Sequence, residues 1–447
     1  MSRRRQKDMY TNALVRWILG RIPSAKPKTK PARKTPTLNP TKTSLKPSTQ
    51  LTLQPIELTV TKKIQLRPYQ QEALQEFLKQ KKCTLEMATA TGKTFVAIEA
   101  IRRLGLPTVI IVPTIAILKT VWLRRLKEAG FGYKLGVFYG HKKQFAPILI
   151  TTYHSAIRHP HLLTNYQLVI FDEVHHTKSE VWGKLLDYTK HAKYVLGLTA
   201  TLGRRFDPKT LKITRVLPVA FTYQIYEARK QGWVAPIKVY SAPVEMNFQE
   251  WRKYDEYCQI IRKVIWELGT TDPTEWSKLA KRGDRTARKG LWALTKRRTL
   301  LSTIEAKLPM VLHIIRKNPD SKILLFSESI PAVKRLKAYL TANGIKCATY
   351  HSKMSKTERE HALRTGWGSQ FKTLLAVRAL DEGLDVPEAN VGIIHCSGRT
   401  PRQIVQRLGR LIRAKPGKIA KVYVVWANGT IENRVLEAVK RAVWKVK

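Results

Sequence analysis

The stretch Thr84-Leu85-Glu86-Met87-Ala88-Thr89-Ala90-Thr91-Gly92-Lys93-Thr94 decides how the rest of the chain is read. Its first four residues suit a short buried strand. A helical pattern follows, with Val96, Ala97, Ala100 and Ile101 on one side. A strand, a small-residue loop and a helix in this order form a phosphate cradle, because loop N–H groups and a helix N-terminus point at the anion. Within it, Ala88, Thr89, Ala90, Thr91 and Gly92 are expected to wrap the phosphates. Lys93 would neutralise the β- and γ-phosphates of a nucleoside triphosphate, and Thr94 would hold Mg²⁺ through its hydroxyl. Ala90 stands where glycine is more usual in such loops, and a methyl there narrows the dihedrals open to the backbone.

Further along, Leu168-Val169-Ile170-Phe171 reads as a buried strand ending in Asp172-Glu173-Val174-His175-His176. A carboxylate at the carboxyl end of a central strand is well placed to hold Mg²⁺, giving Asp172 that role. Glu173 beside it can orient and deprotonate an attacking water. An acidic strand end can also simply cap a helix, but its occurrence downstream of Lys93, with paired histidines, favours chemistry.

The same continuous apolar runs recur at 108–112, 148–151 and 195–198, then at 323–326, 374–377, 391–395 and 422–425. Short apolar runs separated by helical stretches indicate parallel sheets covered on both faces. With 447 residues, the chain has room for two such α/β units in series. The expected division is 56–235 for the first and 236–447 for the second, with a helical insertion at about 246–309 in the second. Residues 1–55 are basic and rich in Pro, Thr and Ser, and are expected to be a disordered arm. An organellar transit peptide is the alternative reading of that arm.

Charge points to the partner. The 82 Lys and Arg against 32 Asp and Glu leave a formal net charge of +50, which favours a polyanion partner over the alternative of a general compositional habit such as a Lys-rich proteome. Between Lys278 and Arg298 the basic side chains crowd together, and Arg285 and Arg288 are candidate nucleic-acid contacts. Trp276 and Trp292 accompany them. Bases could stack on the two rings, but packing inside the insertion is the expectation for both. The 4 cysteines have no metal-ligand spacing, which fits a reducing interior compartment and argues against a zinc or iron–sulfur centre. No apolar run approaches the ~20 residues that cross a bilayer.

On these residues the chain resembles the DExH group of superfamily 2 helicases, over about 64–440. The resemblance rests on Leu66-Arg67-Pro68-Tyr69-Gln70, the phosphate loop, Val112-Pro113-Thr114, Thr151-Thr152-Tyr153-His154, Asp172–His176, Gly197-Leu198-Thr199-Ala200-Thr201, Leu380–Pro387 and Gln403–Arg413. It implies two tandem RecA-like parallel-sheet domains. Arg67 and Gln70, and Gly383 and Asp385 across the cleft, would bind ATP. Pro113, Thr114, Thr152, Thr199 and Thr201 would meet nucleic acid. Gln406, Arg410 and Arg413 recur at helical spacing and share one face. By resemblance Arg410 and Arg413 are arginine fingers and Gln406 senses the nucleotide.

Within the group the chain is most similar to XPB-like excision-repair helicases, through 197–202, Pro387–Val391 and 402–415. Two features depart from that pattern: Arg204 is followed by Arg205 and Phe206 rather than by Glu and Asp, and the arm is too short to be a damage-recognition domain. The resemblance implies an ATP- and Mg²⁺-dependent motor on DNA, running 3′ to 5′, with loading, repair or replication proteins as possible partners. RNA remodelling and an ATPase-impaired binding scaffold are the alternatives.

Overall fold

The computed structural model describes residues 64–203, 206–363, 367, 370–377, 389–395 and 418–444. Among these residues the chain forms two sheets, each from one stretch of sequence. The first contains β1 (Lys82–Met87), β2 (Thr108–Val112), β3 (Leu135–Tyr139), β4 (Lys142–Gln144), β5 (Ile148–Thr152), β6 (Leu168–Asp172), β7 (Tyr194–Thr199) and β8 (Val219–Tyr223). Their order is β4-β3-β5-β2-β6-β7-β1-β8, parallel except where β4 turns back on β3. The second contains β9 (Ile237–Val244), β10 (Ile323–Ser327), β11 (Cys347–Tyr350), β12 (Thr373–Val377), β13 (Val391–His395) and β14 (Ala420–Ala427), in the order β11-β12-β10-β13-β14-β9. The two α/β units expected from the sequence are both present.

The strands that the apolar runs announced are the central ones. Every residue of β2, β5, β10, β12 and β13 is buried. Helices cover both faces, as a parallel sheet requires. The sequence reading did not anticipate β3, β4, β8, β9 and β11. In β4 all three residues are exposed, and β8 and β9 mix buried and exposed positions at sheet edges.

Between β9 and the Lys307–Arg316 helix the chain makes three helices, Phe248–Leu268, Pro273–Lys281 and Arg285–Ser302. Asn247 and Glu250 cap the first of these reciprocally. The three close on a small core of Ile261, Val264, Trp276, Ala287, Ala293 and Leu294. Gly290 permits that closure, since a Cβ there would stand 2.7 Å from Val264 and 3.0 Å from the Trp276 ring. Trp276 is fully buried, as expected, and its indole donates to the Thr270 carbonyl. Trp292 departs from expectation: it is 46% exposed, edge-on to Tyr257. The basic run also divides. Arg285 and Arg288 are exposed, but Arg297 is buried against Cys258, and Arg298 lies 3.8 Å from Glu328. A fully buried ion pair, Lys307 with Glu432 at 2.7 and 2.9 Å, ties the helix after the insertion to the chain beyond β14.

The basic arm, residues 1–55, lies outside the described residues, as do Gly383, Asp385, Gln406, Arg410 and Arg413.

Candidate nucleotide site and nucleic-acid face

The loop after β1 bends tightly before the Lys93–Leu104 helix. Ala90 sits at φ 71° and Gly92 at φ 82°. Alanine therefore does enter the left-handed region here, at the energetic disadvantage its methyl carries. Gly92 is required for space as well: a Cβ would come within 2.4 Å of the Gln70 amide nitrogen. That contact belongs to a tight bundle. The Tyr69 hydroxyl and the Gln70 amide both donate to the Thr91 carbonyl at 2.8 Å. The Gln70 carbonyl oxygen accepts from Arg67 N. Arg67 in turn lies 4.9 Å over the Trp233 ring, and Tyr69 stacks on Tyr223 at 4.1 Å. The element expected to read the base thus also holds the phosphate loop. Beside it opens a cleft of about 550 Å³ lined by Arg67, Gln70, Ala90, Thr91, Gly92 and Phe95. Thr94 is half-buried on the first helical turn, and the Lys93 ammonium donates to the Met87 carbonyl at 2.8 Å.

At the end of β6, Asp172 and Glu173 occupy different surroundings. Trp122 donates to Asp172 Oδ2 at 2.8 Å, and the Tyr153 hydroxyl donates to the Asp172 carbonyl at 3.0 Å. Burial, then the charge of Glu173, pushes the Asp172 carboxyl up to about 6, against Trp122 and Lys93. Burial would also raise Glu173, but His175 beside it, with Lys93 and His176, overrides this and holds it down at about 2. Its Oε2 lies 3.2 Å from His175 Nδ1, an ion pair whenever that imidazole is protonated. The Thr199 hydroxyl donates to the Thr201 carbonyl, so its oxygen accepts from His175 Nδ1–H at 3.1 Å. Glu173, His175, Thr199 and Thr201 form one chain from β6 to the end of β7.

Mg²⁺ suits this donor set. Thr94 and Asp172 offer hard oxygens, and a dication would relieve the unfavourable charge that burial and Glu173 impose on Asp172. Among the described residues no His, Cys, Asp and Glu group forms a further metal cluster.

The expected nucleic-acid contacts are only partly available. Thr199 is fully buried and committed to His175 and Thr201. Thr152 is 5% exposed, and its hydroxyl accepts from Ser155 N to cap the Tyr153–Arg158 helix. Pro113 is buried, while Thr114 and Thr201 are half-buried. Small hydroxyls at these strand ends satisfy local backbone and neighbouring side chains, so Thr152 and Thr199 could meet a nucleic-acid strand only through their main chain. Lys119 and His154 are the exposed groups nearby. Trp122 escaped the sequence reading altogether, since nothing local connects it to a residue 50 positions away.

A phosphate loop, an acidic pair across the strand ends and two parallel-sheet units define a two-lobed, helicase-type ATPase. Residues 63–204 match the family described as type III restriction enzyme, res subunit, and residues 306–415 match the helicase conserved C-terminal domain. The chain is 30% identical over 380 residues to the DNA 3′-5′ translocase XPB2 of Sulfurisphaera tokodaii, covering 83% of this chain and 84% of that protein. It is 27% identical over 382 residues to the DNA 3′-5′ helicase XPB of Mycobacterium tuberculosis, covering 82% of this chain and 62% of that one. In fold it is similar to the Pyrococcus furiosus Hef helicase domain, with a TM-score of 0.55 at 18% identity over 83% of this chain and 97% of that one. The chain belongs to the XPB-like group of superfamily 2 helicases and is an ATP-dependent enzyme of that class.

Proposed function

We propose that this protein is a DNA translocase that hydrolyses ATP between its lobes and moves 3′ to 5′ along one strand. The observation that carries this reading is the phosphate loop in its sheet: Lys93 opens a helix behind left-handed Gly92 and donates to the Met87 carbonyl, and the Asp172–Glu173 pair ends β6 two strands away. One cation between a phosphate loop and two carboxylates is the arrangement phosphoryl transfer needs.

When ATP enters, Lys93 leaves the Met87 carbonyl for the β- and γ-phosphates. Its charge is then spent on the nucleotide, and one of the influences that hold Glu173 down is weakened. Glu173 becomes a better acceptor for the proton of the attacking water at the moment the substrate is in place. Thr94 and Asp172 would hold Mg²⁺, which would supply positive charge against the phosphates during transfer. Arg67 and Gln70 face the base side of the cleft. Gln406, Arg410 and Arg413, with Gly383 and Asp385, complete the site from the second lobe when the cleft shuts, so hydrolysis waits for closure.

The lobes divide at about residue 235. Thr114, Thr201 and their exposed neighbours face the strand on the first lobe. Arg285 and Arg288, beside Trp292, add grip from the insertion. DNA is the favoured polymer because the relatives that match most of this chain carry DNA in their names. Loading and repair proteins are the partners that fit such a motor, and among the described residues no helix is long and apolar enough to cross a membrane.

Unwinding of 3′-tailed and 5′-tailed DNA duplexes and of their RNA counterparts tests the proposal, with Glu173→Gln as control. Selective opening of the 3′-tailed DNA substrate is expected. Preference for 5′-tailed DNA or for RNA contradicts it.

A further inference from the structure

Two buried aromatic side chains grip Asp172 from different directions. Trp122 is fully buried and donates to its carboxylate, and Tyr153, also fully buried, donates to its backbone carbonyl. Both the side chain and the main chain of the expected Mg²⁺ ligand are held.

Each of these aromatics belongs to a short helical segment that begins at the proposed nucleic-acid face. Thr114 caps the first by accepting from Ile117 N at 3.2 Å. Exposed Ile115 and Lys119 follow, and the segment then carries Trp122 inward. Thr152 caps the second, which presents Tyr153 to the core and His154 to solvent. No loop interrupts either path.

The first path contains a π-helical turn, Leu118–Leu123, that includes Trp122. Such turns hold one extra residue and are frequent at functional sites. Recovery of α-helical register would remove the extra residue and turn the end of the segment, where Trp122 lies, by up to about 100°. Such a turn would carry the indole off Asp172. A segment able to take a second register, without this hydrogen bond, is the kind of two-state element that coupling between sites requires.

We propose that Trp122 and Tyr153 are positioning residues that transmit strand occupancy to Asp172, so that bound nucleic acid sets the carboxylate for hydrolysis. This rests on the motor reading above and on the strand lying over the two capped segments. If the aromatics only satisfy buried polar atoms, removing one hydrogen bond would leave the dependence on nucleic acid intact.

The test uses the full chain and the variants Trp122→Phe and Tyr153→Phe, each of which keeps an aromatic ring and loses one donor. ATP turnover is measured without DNA and at saturating single-stranded DNA. Affinity for a labelled oligonucleotide is measured with and without Mg²⁺ and a non-hydrolysable ATP analogue. In Trp122→Phe the stimulation factor, stimulated over basal turnover, should fall about tenfold, within the usual range of allosteric coupling. Oligonucleotide affinity without nucleotide should stay within about twofold. The shift in that affinity caused by the analogue should vanish, because coupling free energy is reciprocal. Tyr153→Phe should follow in the same direction and carries the test alone if the other variant does not fold. Unchanged stimulation and an unchanged affinity shift overturn the proposal. So does an equal loss of basal and stimulated turnover with the shift retained, since the residues would then merely support Asp172. A wild-type protein that ignores DNA sinks the motor reading and this inference together, before any variant is made.

Discussion

Replacing Ala90 by glycine should stabilise the first lobe, against the general rule that glycine weakens a fold. Ala90 lies at φ 71°, where an L-residue is disfavoured by ~1–2 kcal/mol. Glycine removes that strain. It also adds freedom to the unfolded chain, a loss of ~0.4–1 kcal/mol, and forgoes a half-buried methyl worth a few tenths at ~25 cal/mol per Å². At the middle of these ranges the balance is a gain of ~0.4 kcal/mol. Valine at the same position keeps the strain and adds a stiff β-branch, so Ala90→Val should lose at least ~1 kcal/mol. The two variants bracket the wild type in opposite directions. Urea denaturation of all three proteins, followed by a probe in the first lobe, reads the order directly. At a negative φ, glycine would destabilise by ~0.5–1 kcal/mol relative to alanine and valine would be tolerated. That order would refute the loop geometry described here.

Other consequences can be checked the same way. Lys307→Met leaves Glu432 buried without its cation and should cost ~3–5 kcal/mol, whereas Lys307→Met with Glu432→Leu should return to within ~1 kcal/mol of wild type; urea midpoints decide. Burial pushes Glu432 from the usual 4.5 up to about 7, despite Lys307. Its contribution is therefore complete below about 4.5 and lost as pH rises through about 7, so the wild-type midpoint should fall between pH 5 and 8 more steeply than that of the double variant. Trp292→Ala should weaken single-strand binding by ~1–3 kcal/mol with the salt slope unchanged, because a ring contributes stacking and no charge. Arg410→Ala should retain strand affinity while DNA-stimulated turnover falls at least ~10²-fold; parallel loss of both would make Arg410 a phosphate anchor.

The sequence disclosed the parts of this molecule whose causes are local. Central strands such as β2 and β13 are unbroken apolar runs because both faces of a parallel sheet are buried, and their limits are read directly. β4 is made of exposed polar residues and exists through its pairing with β3, so nothing in its composition marks it. Lys93, Asp172 and Glu173 were singled out as candidates because strand–loop–helix context and paired acids are contiguous patterns. Trp122 was not, since its link to Asp172 exists only after β6 and the Leu118–Leu123 turn have been brought together. The threonines show a related limit. A motif identifies Thr152 and Thr199 as belonging to the right elements, but burial and hydrogen-bond partners decide whether their side chains reach a strand or serve the scaffold. Trp276 and Trp292 look alike in sequence; only the packing of the insertion makes one core and leaves the other half-exposed.

The most direct test of the account is ATP turnover by wild type and Glu173→Gln, with and without saturating single-stranded DNA, beside nucleotide binding in both. Wild-type turnover should rise with DNA. Glu173→Gln should bind ATP as well as wild type and turn it over at no more than ~1% of the stimulated rate, since a positioned general base commonly contributes 10²–10⁴-fold. Wild-type turnover that ignores DNA, or a variant that hydrolyses ATP like wild type, would contradict a motor whose chemistry is housed at Glu173.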